Sequence, residues 1–366
     1  MSNTLHHPSL LVSPEDVKII RQQSAEAEHQ GKLTPVLLDL IYRQQWFKML
    51  VPATYGGLAL SLSEVVRLEE ALSWADGSLG WVVTLCSGAG WFGGFIDPLL
   101  AAQILIDTQL CIAGSGASTG TAEIEGDGYR INGTWKYASG VHHATHITVN
   151  CVITKNKQPQ LNAYGKPLVL PFILHRKDVE LLPGWKYVGM IATGSDAYTI
   201  KNVWVSANRC FKIEPGAAYI QSPLYTYPFL QLAEATLTAN LSGMAVHFID
   251  LCKNIFEEKA TRFTEQSDEK RRIIFDALHE NEMQLQNKRA AFYEALSASW
   301  NEPGNQALLQ QVSKYSRQLA LISREAVDHL YPYCGLLAAA PNTEINRVWR
   351  DIHTASQHSL LTFQQV

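Results

Sequence analysis

The chain has 366 residues, more than the roughly 250–300 that one hydrophobic core organises, so two or three domains are expected. Hydrophobic residues make up 46% and charged residues 17%, a globular balance that excludes extensive disorder. The 30 basic and 34 acidic residues give a net charge of −4 with no basic stripe, which argues against a nucleic-acid surface.

The nearest charge run, Lys270-Arg271-Arg272, follows Asp268 and Glu269 and reads as a solvated helix face. Six scattered cysteines without a CxxC pair read as reduced thiols of a cytoplasmic protein. The opening MSNTLHHPSLLVSPEDV has no basic start leading into an apolar core, so no secretory signal is expected there. No run of 18 apolar residues offers a membrane span.

Helix start signals dominate the first third. Ser13-Pro14-Glu15-Asp16 supplies an N-cap with proline at the first helical position, and Thr34-Pro35 repeats the device. Ser61 to Glu64 forms a capping box, after which Val65, Leu68, Leu72 and Ala75 mark one helical face. Gly80 to Phe95 is apolar all round and predicts a buried helix.

From about Cys111 the period shortens. GYRINGTWKYASG alternates and carries Asn132-Gly133, which predicts a hairpin turn. Strand-like runs follow at HITVNCVIT, LVLPFILH and AYTIKNVWVS, together a β domain of about 100 residues. From Pro228 helices return: Leu237, Leu241, Met244, Phe248, Cys252 and Ile255 recur every three or four residues, two long amphipathic stretches follow, and a last helix is expected over Glu344 to Phe363. Four antiparallel helices are the simplest packing. The expected fold is α+β and mostly α: an N-terminal helical domain over 1–110, a central β barrel or sandwich over 111–215, and a C-terminal four-helix bundle over 216–366.

Three segments could carry chemistry. Gly114 to Gly120 is rich in glycine and hydroxyls but lacks both GxxxxGK[ST] and a following helix, so it reads as a flexible loop offering donors to a polar ring edge. His142, His143 and His146 do not have the spacing of a zinc site, and no metal is expected. Asp351 to His358 gathers polar and titratable side chains on a segment expected to be helical, with Thr354 and His358 on one face. No Gly-x-Ser-x-Gly elbow, CxxC or HExxH supports a hydrolase, thiol exchange or metalloprotease.

Taken in order, Thr121-Ala122, Gly126-Asp127-Gly128-Tyr129, Ile131-Asn132-Gly133 and Tyr137-Ala138-Ser139 resemble the mid-chain pattern of the acyl-CoA dehydrogenase superfamily. VPATYGG at Val51 to Gly57, GMIATGS at Gly189 to Ser195, Val203-Trp204-Val205 and Arg350-Asp351 extend the resemblance over nearly the whole chain. It implies a flavin, FAD or FMN, between the β domain and the helical bundle. Ser139 falls where the family contacts the flavin N5 and O4 edge, with Ser115 and Ser118 as further candidates for that edge. Arg262-Phe263 is what remains of the R-x-x-F-G motif whose arginine grips the flavin diphosphate across a subunit interface. A homotetramer is the family's usual assembly.

The chain lacks the dehydrogenases' Glu-Gly-Thr near the C-terminus and their Gly-Ser-Asp before Thr-Ala. Ser139-Gly140-x-x-His143 and Arg350-Asp351 followed by Ser356-x-His358 resemble instead the two-component flavin-dependent monooxygenases. Those enzymes take reduced, diffusible flavin from a separate reductase and form a C4a-hydroperoxide; the many aromatic residues here suit a small, aromatic or otherwise flat substrate. The resemblance assigns His358 to the oxygen or substrate, Ser139 to the flavin, and Ser356 to the cofactor. The helix after Gly80-Trp81 lacks the substrate-facing histidine common in that branch, leaving His143 as the replacement if it faces the cleft. The alternatives are an acyl-CoA dehydrogenase using Glu234 or Glu344 as base, and a non-catalytic flavin-binding homologue.

Overall fold

The computed structural model describes residues 5–262 and 268–362. The N-terminal helices are α1 (Pro14–Gln30), α2 (Pro35–Arg43), α3 (Leu62–Ala75), α4 (Gly77–Gly90) and α5 (Pro98–Leu105). Their starts follow the sequence signals: Ser13 and Thr34 accept N–H groups of the first turns, and the Ser61–Glu64 capping box closes in both directions. The buried helix starts three residues earlier than the apolar run, because Asp76 caps it through the Leu79 N–H, and it gives way to a tighter turn at Trp91–Gly94.

Among the described residues seven strands follow: β1 (Ile112–Glu125), β2 (Gly128–Trp135), β3 (His146–Lys155), β4 (Gln158–Pro159), β5 (Val169–His175), β6 (Glu180–Leu182) and β7 (Ala197–Ser206). They hydrogen-bond into one sheet in the order β4-β3-β1-β2-β7-β6, with β5 also pairing β3. β1 and β3 run parallel, and the other pairs are antiparallel. One face buries Ile131, Trp135, Phe172 and Tyr198, with the Trp135 and Tyr198 rings stacked 5.5 Å apart.

Two turn expectations are corrected here. Asn132-Gly133 lies inside β2 at a bulge opposite β7, where the Asn132 side chain accepts the N–H of Asn202, itself at φ 57°. The hairpin turns instead at Gly126-Asp127, where Gly126 takes φ 62°. Gly114 to Gly120 is no free loop but part of β1. The register with β3 jumps between Ser115 and Gly120, so 116–119 arch out of the ladder.

The remaining helices are α6 (Pro223–Thr226), α7 (Phe229–Ala260), α8 (Asp268–Asn301), α9 (Gln306–Cys334), α10 (Leu336–Ala339), α11 (Glu344–Ala355) and α12 (Ser359–Thr362). α7 packs on α3, α4, α8, α9 and α11, which makes it the central rod of the helical part. Arg289 of α8 forms a doubly hydrogen-bonded ion pair with Glu70 of α3, joined by the hydroxyls of Ser242 and Tyr293. Both charges are buried, and the guanidinium outweighs the cost of burial to hold the Glu70 carboxyl below its ordinary range. The expected last helix is broken. α11 ends at Ala355, and Thr354 donates back to the Arg350 carbonyl, so Thr354 and His358 share no helical face. Phe363 and Phe263 lie outside the described residues. Among those residues no helix is long and apolar enough to cross a membrane.

Candidate active site

The turn after β2 carries Tyr137-Ala138-Ser139. Two backbone bonds fasten it to the segment before β7: Ala138 N–H to the Asp196 carbonyl and Gly140 N–H to that of Thr193. Gly140 takes φ 74°, and a Cβ there would sit 2.7 Å from the Cys86 sulfur of α4. The turn therefore lies flat against α4.

Ser139 is 5% exposed, and its hydroxyl lies 2.8 Å from that of Ser195. Ser195 in turn lies 2.6 Å from Thr193 Oγ1, which donates to the Met190 carbonyl at 2.6 Å. A hydroxyl has one proton, so this last bond fixes the sense of the chain. With the Thr193 proton committed to Met190, Ser195 donates to Thr193 and Ser139 donates to Ser195. The Ser139 oxygen keeps both lone pairs free to accept. Its backbone N–H finds no acceptor among the described residues.

The loop holding Thr193 and Ser195 is clamped from α11. Asp351 accepts the Met190 N–H at 2.5 Å, and Arg350 donates to the Val188 carbonyl and to Glu28. Burial, aided by repulsion from Asp76, pushes the Asp351 carboxyl up to about 7. Asp196 fixes the other side by accepting the N–H groups of Gly184 and Trp185 and pairing with His142 at 2.9 Å. Tyr137, Trp185 and Tyr187 form an aromatic wall beside this turn, with Tyr137 57% exposed and its hydroxyl 3.1 Å from that of Tyr187.

His358 follows the break after α11 and meets the Trp81 ring of α4 edge-on at 6.0 Å. Its Nδ1 accepts the Leu360 N–H, so the neutral ring carries its proton on Nε2 as a donor. Burial lowers its proton affinity, keeping it neutral at pH 7. Ser139 and His358 thus both border α4.

The other candidates scatter. His143 lies in the same turn as Ser139, its buried Nε2 without a partner among the described residues, and burial followed by the charges of His142 and Lys32 lowers its pKa to about 4. His146 lies on β3 against His175. Ser115 is half-buried on β1, and Ser118 is exposed on the arch. Ser356 donates to the His353 carbonyl, and Arg262 is an exposed partner of Glu258. Neither glutamate weighed as a dehydrogenase base is free: Glu234 pairs with Arg317 and Ser313, and Glu344, beside His247, has its pKa lowered to about 2. In the sequence Thr193 and Ser195 stand out only as part of GMIATGS; two hydroxyls flanking Gly194, which takes φ 54°, are the available signal.

The fold is shared with solved flavin-dependent monooxygenases, and its C-terminal third matches a known family model. Residues 235–363 match the family model described as acyl-CoA dehydrogenase, C-terminal domain. The relatives it resembles include the indole-3-acetate monooxygenase of Acinetobacter baumannii, 23% identical over 93% of this chain and 87% of that protein. Another is the flavin-dependent monooxygenase oxygenase subunit HsaA of Rhodococcus jostii, 23% identical over 93% of this chain and 91% of its own length. Among solved structures, the 3-HSA hydroxylase of Rhodococcus sp. RHA1 superposes with a TM-score of 0.87 at 19% identity, covering 98% of this chain and 93% of that one. XiaF from Streptomyces sp., solved with FADH2 and glycerol, does so with a TM-score of 0.83 at 21% identity over 95% and 89%.

Proposed function

We propose that this protein is the oxygenase component of a two-component flavin-dependent monooxygenase acting on an aromatic substrate. The observation that carries the reading is the fixed sense of the Thr193–Ser195–Ser139 hydroxyl chain. It leaves an acceptor oxygen and a donor N–H side by side at Ser139. Reduced flavin carries a proton on N5 beside the acceptor O4, so its edge presents the complementary pair, whereas N5 of oxidised flavin only accepts. The exposed wall of Tyr137 and Tyr187 fits the flat ring, which supports FAD or FMN at this place. When bound, reduced flavin activates dioxygen so that one atom enters the substrate and the other leaves as water.

The chain's own groups do the rest. Ser139 holds the flavin edge, and His358 donates from Nε2 to a substrate or oxygen atom. Trp81 keeps water from that donor, which matters because water favours wasteful peroxide release. His143 remains a neutral imidazole near the turn, suited to hydrogen bonding more than to proton abstraction. Ser115, Ser118 and Ser356 add contacts to the cofactor, and Arg262, exposed just beyond α7, meets the flavin diphosphate across a subunit interface.

The proposal includes the three-domain division at 1–110, 111–215 and 216–366, a homotetramer, a separate flavin reductase as partner and a cytoplasmic location in keeping with six free thiols. Anaerobic titration of the purified protein with oxidised and reduced FAD and FMN tests it. A preference for reduced flavin of at least about tenfold, one hydrogen bond of moderate strength, is expected. Equal affinity for both redox states would overturn the reading.

A further inference from the structure

α4 contains four glycines, and the fold accounts for three of them. A Cβ on Gly77 would lie 2.6 Å from the Met244 sulfur, on Gly80 2.0 Å from Ser73 Oγ, and on Gly90 2.8 Å from Val51. On Gly88 it would meet, among the described residues, no heavy atom within 4 Å beyond its own helix backbone and chain neighbours, and Gly88 has no left-handed backbone to require glycine. Glycine is the poorest helix former after proline. Neither packing nor local conformation explains it here.

Gly88 lies on the one incompletely packed stripe of α4. Trp81, Leu85 and Gly88 recur at four and three residues, so they share a face, and Phe92 follows in the tighter turn beyond α4. Leu85, Gly88 and Phe92 are only half-buried in a segment otherwise closed almost throughout. The flanks are covered: Cys86 faces the Ser139 turn, and Thr84 accepts a hydrogen bond from Asn240 of α7. At one end His358 closes on Trp81, and at the other Phe92 meets Phe211 and Phe229. The stripe thus lies between the Ser139 turn and α7, partly open along its length, with an aromatic residue at each end. Trp81 and Gly88 are seven residues apart, or about 10 Å along the axis.

Resting on the oxygenase reading, we propose that this stripe walls the aromatic-substrate chamber and that Gly88 sets its width, the missing side chain admitting a second fused ring. A flat apolar ring lies against bare helix backbone at Gly88, between the side chains of Leu85 and Phe92. A side chain at 88 occupies the space of that second ring and leaves room for a single one.

Calorimetric titration of indole and of phenol into the wild type, Gly88→Ala and Gly88→Leu tests the assignment. Wild type should bind both. Gly88→Leu should weaken indole by about tenfold or more, the usual consequence of a misfitting alkyl group in an apolar pocket, and leave phenol within about twofold. Gly88→Ala should fall between them for indole and melt no lower than wild type, which keeps the test intact if the leucine variant misfolds. Unchanged indole affinity in both variants, equal loss of both rings, or no binding of either ring to wild type would overturn the proposal. The flavin titration reads the underlying function separately. Ring discrimination without a reduced-flavin preference retains the chamber and removes the oxygenase, while the converse removes only the chamber.

Discussion

The Asp351 carboxylate accepts the backbone N–H of Met190 at 2.5 Å, joining α11 to the loop that brings Thr193 and Ser195 to Ser139. This clamp titrates. Burial raises the folded-state pKa to about 7, above the ordinary value of 3.8, so between the two the folded chain holds a proton that the unfolded chain has released. The contribution of Asp351 to stability therefore falls as pH rises from about 4 to 7, by no more than about 4 kcal/mol for a shift of this size, against the opposite contribution of carboxyls such as Glu344 whose pKa is lowered. Asp351→Asn keeps an acceptor for Met190 and should shift the slope of denaturation midpoint against pH toward more positive values over that window. A slope equal to that of wild type would show that Asp351 does not titrate as described.

Thr193→Val removes the hydroxyl that fixes the sense of the chain. Ser195 then has no internal acceptor at that end, and Ser139 can donate outward as readily as it accepts. The variant should keep its fold and bind reduced flavin less selectively, with the ratio of reduced to oxidised affinity falling by about three- to tenfold. Retention of the full ratio would place selectivity elsewhere.

His358→Ala should leave flavin affinity nearly intact and slow product formation by at least about tenfold, the lower range for a group that handles a proton. His358→Gln restores a donor and should recover part of the loss. Because burial lowers the proton affinity of His358, wild-type activity should hold through neutrality and decline only once acid protonates the ring. An alanine variant with normal turnover would remove His358 from the chemistry.

Glu70→Ala strands the Arg289 guanidinium among buried groups. Removing one partner of a buried pair costs about 3–5 kcal/mol. Urea denaturation should register that loss, or the protein should fail to accumulate folded. A variant as stable as wild type would mean that water reaches Arg289.

The helix starts were legible because capping is local: Ser13, Thr34 and Ser61 find their partners within three residues. The order of helices, strands and helices followed from period alone, and Tyr137-Ala138-Ser139 was found by its neighbours in sequence. Asn132-Gly133 misled because its turn preference competes with sheet pairing on both sides, and a bulge satisfies both. The hydroxyl chain could not be read, since Ser195 stands 56 residues from Ser139 and only folding brings them together. Gly88 was invisible for the opposite reason: its significance is the absence of any neighbour.

The pair between Glu70 and Arg289 spans 219 residues. At about 5–20 residues per second, a ribosome needs roughly 10–40 s to add that length. For that interval α3 exists with its acid made and its base unwritten. The helices translated first are thus among the last to acquire their burial partners, and a nascent chain carrying them offers apolar surface to chaperones until α7 and α8 emerge.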